Sequence, residues 1–380
     1  MEYKLSELFD LQMGKTPSRN NHIYWNTGDN KWISIGDLSE SNIYITETKE
    51  HISDLAVRES GIKAIPENTV VMSFKLSIGK TAITTQEMYS NEAIMAFIDK
   101  KTITVLPEYL YYLLSGQDWN KGTNNAVMGK TLNKATLSER KIYIRSLEEQ
   151  KKIVDILNGI KQIIDKYKSQ LNKLDTLIKA RFIEMFGDQK ANPFEWPQTT
   201  IGDCCILKSG TSLPADKENE GGAIPYVKVG DMNYPGNEQY ITTSSRFVTE
   251  QTARAGIFPA GTVIFPKRGG AIGTNKKRLT TLPICADLNV MGVTAGSALK
   301  SQYLMAYFNM VDLGALDNGS SVPQINNKDI APLVICLPPL ELQEQFAVFA
   351  EQVDKSKSAI QKSLEKTQTL FDSLMQEYFG

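Results

Sequence analysis

Histidine is nearly missing from this chain of 380 residues: His22 and His51 are the only two. That scarcity excludes a paired-histidine metal centre and leaves little for imidazole acid–base catalysis. Cysteine is sparse as well. Cys204, Cys205, Cys285 and Cys336 all fall in the second half and no two have C-x₂-C spacing, so small buried side chains are expected rather than a zinc site. No apolar run approaches the roughly 20 residues that cross a bilayer. The start, MEYKLSELF, carries an acidic residue where a secretory signal would be basic, which predicts a cytoplasmic protein. Phosphate loops are lacking too. Three GKT triplets begin at Gly14, Gly79 and Gly129, but Phe9, Phe74 and Asn124 stand five residues earlier, where a nucleotide-binding loop needs glycine. A net charge of −1 decides nothing about nucleic acid, because binding there depends on where lysines and arginines cluster.

What the chain does have is a duplication. LIKARFIEMFG ends at Gly187 and LFDSLMQEYFG ends at Gly380, an offset of 380 − 187 = 193. Working back, Tyr109 (EYLYYLL) matches Tyr303 (QYLMAYF), Met95 matches Met291, and Pro66 (PENTVVMSF) matches Pro259 (PAGTVIFPK). Trp32, in the strand-like run WISIGDL, matches Tyr226 in YVKVGDM, and Leu11 and Gly14 match Leu207 and Gly210; all offsets lie between 193 and 196. The order never breaks. A period this long means a duplicated domain, since solenoid and propeller repeats are several-fold shorter. With 41% apolar and 22% charged residues the chain is an ordinary folded one, long enough for two or three domains.

Between residues 148 and 186 there is no proline and one glycine, and apolar residues recur at alternating steps of four and three. The series is Ile153, Leu157, Ile160, Ile164, Tyr167, Leu171, Leu174, Ile178, an a/d heptad seam. Adding 193 gives Phe346, Ala350, Val353, Lys357, Ile360, Leu364, Thr367, Phe371, continued by Leu374 and Tyr378. Each apolar stripe needs cover, either from the other helix or from its own globular domain. The strict 3.5-residue period favours mutual pairing. Because the second helix must return along the first, the pair is expected to be antiparallel, and about 39 residues at a rise of about 1.5 Å give a rod of roughly 58 Å. Lys357 and Thr367 interrupt the seam. They either fix its register or the lysine simply snorkels to solvent.

The remaining segments, 1–147 and 188–341, carry short β-branched runs between glycine- and proline-bearing turns (KWISIG, TVVMSF, KTAITT; AIPYVKVG, GTVIFP) and one apolar helix each, PEYLYYLLSG and SQYLMAYFNM. The fold class is α+β: two repeated mixed α/β domains, 1–147 and 188–341, separated by an antiparallel two-helix coiled coil from 148–187 and 342–380. Three polar, basic, glycine-bearing loops recur in matching places. MGKTPSR supplies Lys15, Thr16, Ser18 and Arg19, matched by Thr211 and Ser212 of SGTSLP. FKLSIGK supplies Lys75 and Lys80, matched by Lys267, Arg268, Asn275, Lys276, Lys277 and Arg278 of PKRGGAIGTNKKR. TNNAVMGKTLNK supplies Asn124, Lys130, Asn133 and Lys134, matched by Ser320, Gln324, Asn326 and Lys328 of NGSSVPQINNK. Lysine and arginine neutralise phosphates while Asn, Gln, Ser and Arg read base edges, so these loops have the composition of a DNA-contacting surface as well as that of ordinary solvated loops.

The chain resembles the specificity subunit of type I restriction-modification systems over essentially its whole length. The resemblance is carried by the entries to the long helices, SLEEQKKIV from Ser146 and LPPLELQEQFAV from Leu337, and by FGDQKANPFEWPQTTIGD from Phe186. In the family a P-P-L-x-E-Q-like stretch opens each helical region. The second entry keeps Pro338, Pro339, Leu340, Glu344 and Gln345 with two extra residues before the Glu-Gln pair, and the first has Arg145-Ser146 in place of the prolines. Asn192-Pro193-Phe194 is similar to part of the Asn-Pro-Pro-aromatic loop of amino-methyltransferases but lacks its second proline and falls between the repeats, so a linker turn is expected. The resemblance implies two target recognition domains that each read half of a split DNA sequence, and no catalytic site or cofactor in this chain. It further implies that the helices dock two modification subunits, which bind S-adenosylmethionine and methylate adenine. Restriction subunits using ATP and Mg would complete the complex. A stand-alone DNA-binding regulator and a protein-binding coiled-coil scaffold are the rivals; co-purification with a larger subunit and salt-sensitive DNA affinity separate them.

Overall fold

The computed structural model describes residues 1–40, 42–75, 77–119, 124–126, 129–254, 256–316 and 322–380, with backbone alone for residues 27, 29, 124–126 and 129–131. The chain forms two compact units, Met1–Tyr167 with Ser363–Gly380, and Lys168–Lys362. Each unit therefore combines one globular segment with one end of each long helix.

In the first unit, strands β1 (Phe9–Met13), β2 (Tyr44–Ile45), β3 (Val70–Ser73), β4 (Thr81–Thr84) and β5 (Ile94–Asp99) form a sheet in the order β1-β5-β3-β4-β2. All neighbours are antiparallel except β2 and β4, which are parallel. Alternation along β3 explains why TVVMSF reads as continuously apolar. Val70 and Met72 face a core that includes helix α1 (Pro107–Gly116), while Val71 joins Ile33, Ala82 and Ile94 on the opposite face. Pro107 opens α1, where the fixed φ of proline suits a first helical residue.

Helix α2 spans Leu147–Phe186 and starts on a reciprocal cap: Ser146 N donates to Glu149 Oε2 at 3.0 Å and Glu149 N donates to Ser146 Oγ at 3.3 Å.

The second unit repeats the first. Its strands β6 (Cys205–Ser209), β7 (Tyr240–Ile241), β8 (Thr262–Pro266), β9 (Arg278–Thr280) and β10 (Val290–Ala295) run β6-β10-β8-β9-β7, again with only the last pair parallel. Helix α3 (Ser301–Met310) covers one face with Val263, Phe265, Met291 and Val293, and Ile264, Ile241 and Val290 face the other side. Helix α4 spans Leu340–Phe379.

The heptad seam is visible in burial. Ile153, Leu157, Ile164, Phe346 and Val353 are buried, and Ile160, Leu171, Leu174, Ile178, Ile360, Leu364, Phe371 and Leu374 are half-buried. In the second unit Phe346, near the start of α4, meets Phe182 and Phe186, near the end of α2, with ring centroids 5.5 Å apart in both pairs. In the first unit Phe371 and Phe379, near the end of α4, share a core with Ile153 and Leu157, near the start of α2. The pairing is antiparallel in each unit. It is not exclusive, because the same residues also cover the globular cores: Phe379 lies 5.5 Å from the Tyr109 ring and Phe182 lies 5.1 Å from Tyr303.

Three local readings are settled or revised. WISIGDL and YVKVGDM stop being strands halfway, because Asp37 accepts from Ser34 N at 2.8 Å and Asp231 from Lys228 N at 2.7 Å, turning the chain into Ile35–Glu40 and Val229–Asn233. Lys357 does not snorkel. Its ammonium donates to Asp175 on α2 at 2.5 Å and to Gln239 at 2.7 Å. Asn192 forms the linker turn, its side chain bonding both the N–H and the C=O of Trp196 at 2.9 Å.

Candidate nucleic-acid interface

The three recurring loops converge in each unit, and the same backbone bonds bring them together. Gly14 N donates to Ile94 O at 3.1 Å and Gly210 N to Val290 O at 2.9 Å. Lys15 N donates to Ser90 O and Thr211 N to Ala286 O, both at 2.8 Å. The second loop joins the same turn through Phe74 N to Ala93 O at 2.9 Å and Lys267 N to Asn289 O at 2.8 Å. The third is tied to the second through Leu132 N to Phe74 O at 3.1 Å and Ile325 N to Lys267 O at 2.9 Å. Glycine is required at 14 and 210 by this close approach: a Cβ would lie 2.3 Å from Asn91 O in the first unit and 2.1 Å from Asp287 O in the second. Each first loop accepts from an aromatic at the matching place, Trp32 Nε1 to Lys15 O at 3.1 Å and Tyr226 OH to Thr211 O at 3.2 Å, and in the first unit Trp25 Nε1 also donates to Ser18 O at 3.1 Å. Sequence reading matched Trp32 and Tyr226 without giving them this part, since strand position alone does not show where a ring's polar atom ends.

The side chains divide into those turned outward and those that build the loops. In the first unit the side chains of Ser18 and Lys134 are exposed, and Lys75 lies over its neighbour Phe74 with its ammonium 5.2 Å from the ring centre. Lys15 reaches the Ser60 carbonyl, and Lys80 donates to Ser39 Oγ at 2.5 Å. Thr16 donates to Glu92, which holds that carboxyl below its ordinary pKa. Arg19 pairs with Glu50 and stacks on Trp25, 3.7 Å from its centre. Asn133 caps the helix Lys134–Glu139 by accepting from Thr136 N at 2.8 Å. The side chains of Asn124 and Lys130, and all of Ser320, lie outside the described residues.

In the second unit Ser212, Arg268 and Lys328 are exposed. The rest of the basic run folds inward. Lys267 is buried with its ammonium 2.8 Å from Ser209 Oγ, and desolvation lowers its pKa. Lys277 is buried against Asn275 Oδ1 at 2.8 Å and Val311 O at 2.6 Å, and desolvation pushes it down to about 8. Arg278 spends its guanidinium on the carbonyls of Asn237, Lys277 and Met232. Lys276 donates to Asn233, and Asn275 holds the left-handed turn with φ 54°. Gln324 donates to Asn326 Oδ1 at 2.8 Å, and Asn326 caps Asn327–Ile330 with Asp329. Among the described residues no group of three His, Cys, Asp or Glu is placed to hold a metal, and no helix is long and apolar enough to cross a membrane. All four cysteines are free thiols, two buried and two half-buried.

Two copies of one loop scaffold, bearing different polar side chains and each tied to paired helices, define a duplicated recognition module. The family profile described as "Type I restriction modification DNA specificity domain" matches residues 1–176 and again 193–368. The chain belongs to that family and is a type I restriction-modification specificity subunit, whose task is DNA target recognition. It is similar to the type I restriction enzyme MjaIX specificity subunit of Methanocaldococcus jannaschii, 25% identical over 399 residues, covering 98% of this chain and 90% of that one. It is also similar to the EcoprrI specificity subunit of Escherichia coli, 24% identical over 227 residues that cover 56% of this chain and 55% of the other. The fold matches that of the S subunit from M. genitalium with a TM-score of 0.58 at 14% identity, covering 100% of this chain and 96% of that chain.

Proposed function

We infer that each loop cluster reads one half of a split DNA target and that the paired helices set the distance between the halves. One observation carries this reading: the backbone bonds that assemble the loops are the same in both units while the outward side chains differ. A shared scaffold gives a shared approach to the duplex, and different side chains give different sequences. Lys15, Lys75, Lys80 and Lys134, with Arg268 and Lys328, are assigned to phosphates or guanine edges. Ser18, Ser212 and Gln324 are assigned to base edges, together with Asn124, Lys130 and Ser320. Thr16, Arg19, Asn133, Thr211, Lys267, Asn275, Lys276, Lys277, Arg278 and Asn326 hold the loops in shape. The chain itself performs no catalysis. Modification subunits docked on the helices would bring S-adenosylmethionine and methylate adenine within the target, and restriction subunits would act with ATP and Mg.

The test is a heptad inserted into both α2 and α4. Seven residues add about 10 Å of helix, or roughly three base pairs at 3.4 Å each. Sequencing of methylated adenines should show the same two half-sites separated by a spacer about three base pairs longer. An active complex whose spacer is unchanged would refute the role of the helices.

A further inference from the structure

One glutamine recurs in both repeats with the same three hydrogen bonds. Gln150 on α2 is 1% exposed and Gln343 on α4 is 0% exposed, at an offset of 343 − 150 = 193. Gln150 Oε1 accepts from Leu106 N at 2.9 Å, and its Nε2 donates to Thr104 O at 3.1 Å and Arg145 O at 3.0 Å. Gln343 Oε1 accepts from Lys300 N at 2.8 Å, and its Nε2 donates to Ala298 O at 3.0 Å and Pro338 O at 2.9 Å. These bonds revise the reading of the second helix entry: the glutamine at the motif's last position is Gln343 rather than Gln345, and no extra residues precede it. Leu106 and Lys300 are the N-cap residues of α1 and α3. One side chain thus ties together the globular helix, the connection before it and the segment that enters the long helix.

Only an amide fits. It offers one acceptor and two donors in a plane, matching one N–H and two C=O groups. Glutamate would turn an oxygen toward two carbonyls, and leucine would leave three buried backbone groups unpaired. Apolar packing alone is non-directional and holds a helix over a range of angles. Three directed bonds from one buried amide narrow that range sharply.

We propose that Gln150 and Gln343 are positioning residues that fix the angle at which each recognition unit meets its long helix, and so hold the complex to one target spacing. The proposal rests on the split-target reading above. It is tested in the complex reconstituted with its modification subunits, on duplexes carrying both half-sites with the native spacer and with spacers one base pair shorter or longer. Gln150→Leu and Gln343→Leu should each lose about tenfold of the preference for the native spacer, the equivalent of one or two net hydrogen bonds, while binding to a single half-site is retained. Ile45→Ala, a cavity in the core on the other face of the first sheet, should lower stability and keep the spacer preference. Gln150→Asn, which keeps the amide but shortens its reach, carries the same test if a leucine variant fails to fold. Unchanged spacer preference in the folded glutamine variants overturns the proposal, and so does an equal loss in Ile45→Ala. A wild-type complex indifferent to spacer length would instead overturn the split-target reading.

Discussion

Gly210→Ala tests the loop cluster at its tightest point. The added Cβ would lie 2.1 Å from Asp287 O and 2.4 Å from Ala286 O, where ordinary contact is about 3.5 Å. Both neighbours are backbone, so no side chain can swing aside, and the first loop must retreat by roughly 1 Å. That retreat stretches Gly210 N to Val290 O and Thr211 N to Ala286 O, now 2.9 and 2.8 Å, beyond hydrogen-bonding range. Two backbone bonds at about 1 kcal/mol each, with about 1–3 kcal/mol more for a donor left buried, give a loss of about 3–5 kcal/mol. The φ of Gly210 is not positive, so alanine regains about 0.4–1 kcal/mol by restricting the unfolded chain. A net loss of about 2–4.5 kcal/mol remains. The assay is urea unfolding beside equilibrium binding, in the complex, to duplexes bearing either half-site alone. Stability should fall by that amount, and affinity should drop for the half-site read by the second unit but not for the other. Gly14→Ala, facing Ser90 O and Asn91 O at 2.3 Å, should do the converse. Either alanine variant with stability within about 0.5 kcal/mol of wild type and unchanged binding would refute the steric argument.

Four further outcomes are expected. Arg268→Ala should leave stability within about 0.5 kcal/mol while weakening DNA binding and reducing its salt dependence by about one phosphate. Arg278→Ala, which strips partners from three carbonyls, should cost about 2–4 kcal/mol. The reverse ranking in urea titrations would show the outward and inward assignments to be exchanged. Lys277, lowered by burial to about 8 in the fold from its ordinary 10.5, carries its desolvation cost wherever it is protonated. Its contribution therefore improves as pH rises from about 8 toward 10.5, by at most about 3 kcal/mol. The difference in unfolding free energy between wild type and Lys277→Met at pH 7.5 and 9.5 should show it, and a pH-independent difference would contradict it. Finally, the Met1 ammonium donates to Ile144 O at 2.8 Å and the next residue, Arg145, donates to Tyr378 O at 3.3 Å. A circular permutant joining residues 380 and 1 should keep its modification subunits on gel filtration; a folded permutant that loses them would count against the antiparallel arrangement as the docking surface.

The parts of this molecule that were legible in its sequence are those set by local periodicity and by the duplication. PEYLYYLLSG and SQYLMAYFNM are helices at the stated residues, and the heptad seam is the buried face of α2 and α4. The three loops were legible because glycine and lysine recur at matching places, and a backbone that must approach another closely can use only glycine. What composition could not supply is the direction of each charged side chain. PKRGGAIGTNKKR reads as a uniformly basic loop, yet its turn Gly269–Thr274 and the left-handed Asn275 send Lys277 to Val311 O and Arg278 to Met232 O, 34 and 46 residues away in sequence. Partners that distant leave no local pattern. The glutamine pair was legible in principle, because an offset of 193 aligns Gln150 with Gln343. Reading the second helix entry by its Glu-Gln dipeptide picked Gln345 instead, because the dipeptide gives weight to a glutamate that is exposed and carries no constraint.

Duplication alone leaves the register of the two seams open. Two apolar seams of the same period can slip by a heptad and remain apolar against apolar. At position 164 the first unit carries isoleucine, 5% exposed, and does nothing to prevent this. At the equivalent position 357 the second unit carries lysine, whose ammonium is bonded to Asp175 and Gln239 in a patch that also holds the Asp354–Tyr240 bond. A slip of seven residues would move that ammonium about 10 Å along the helix and leave it without its partners. Asp175 is largely exposed, so the ion pair itself contributes at most about 1 kcal/mol, but the Lys357 side chain is mostly covered and is costly to leave without partners. The polar interruption therefore adds little net stability in this register and would disfavour a slipped one. On the proposed function, a spacer read as a fixed distance would need that difference, and Lys357 is the residue proposed to supply it.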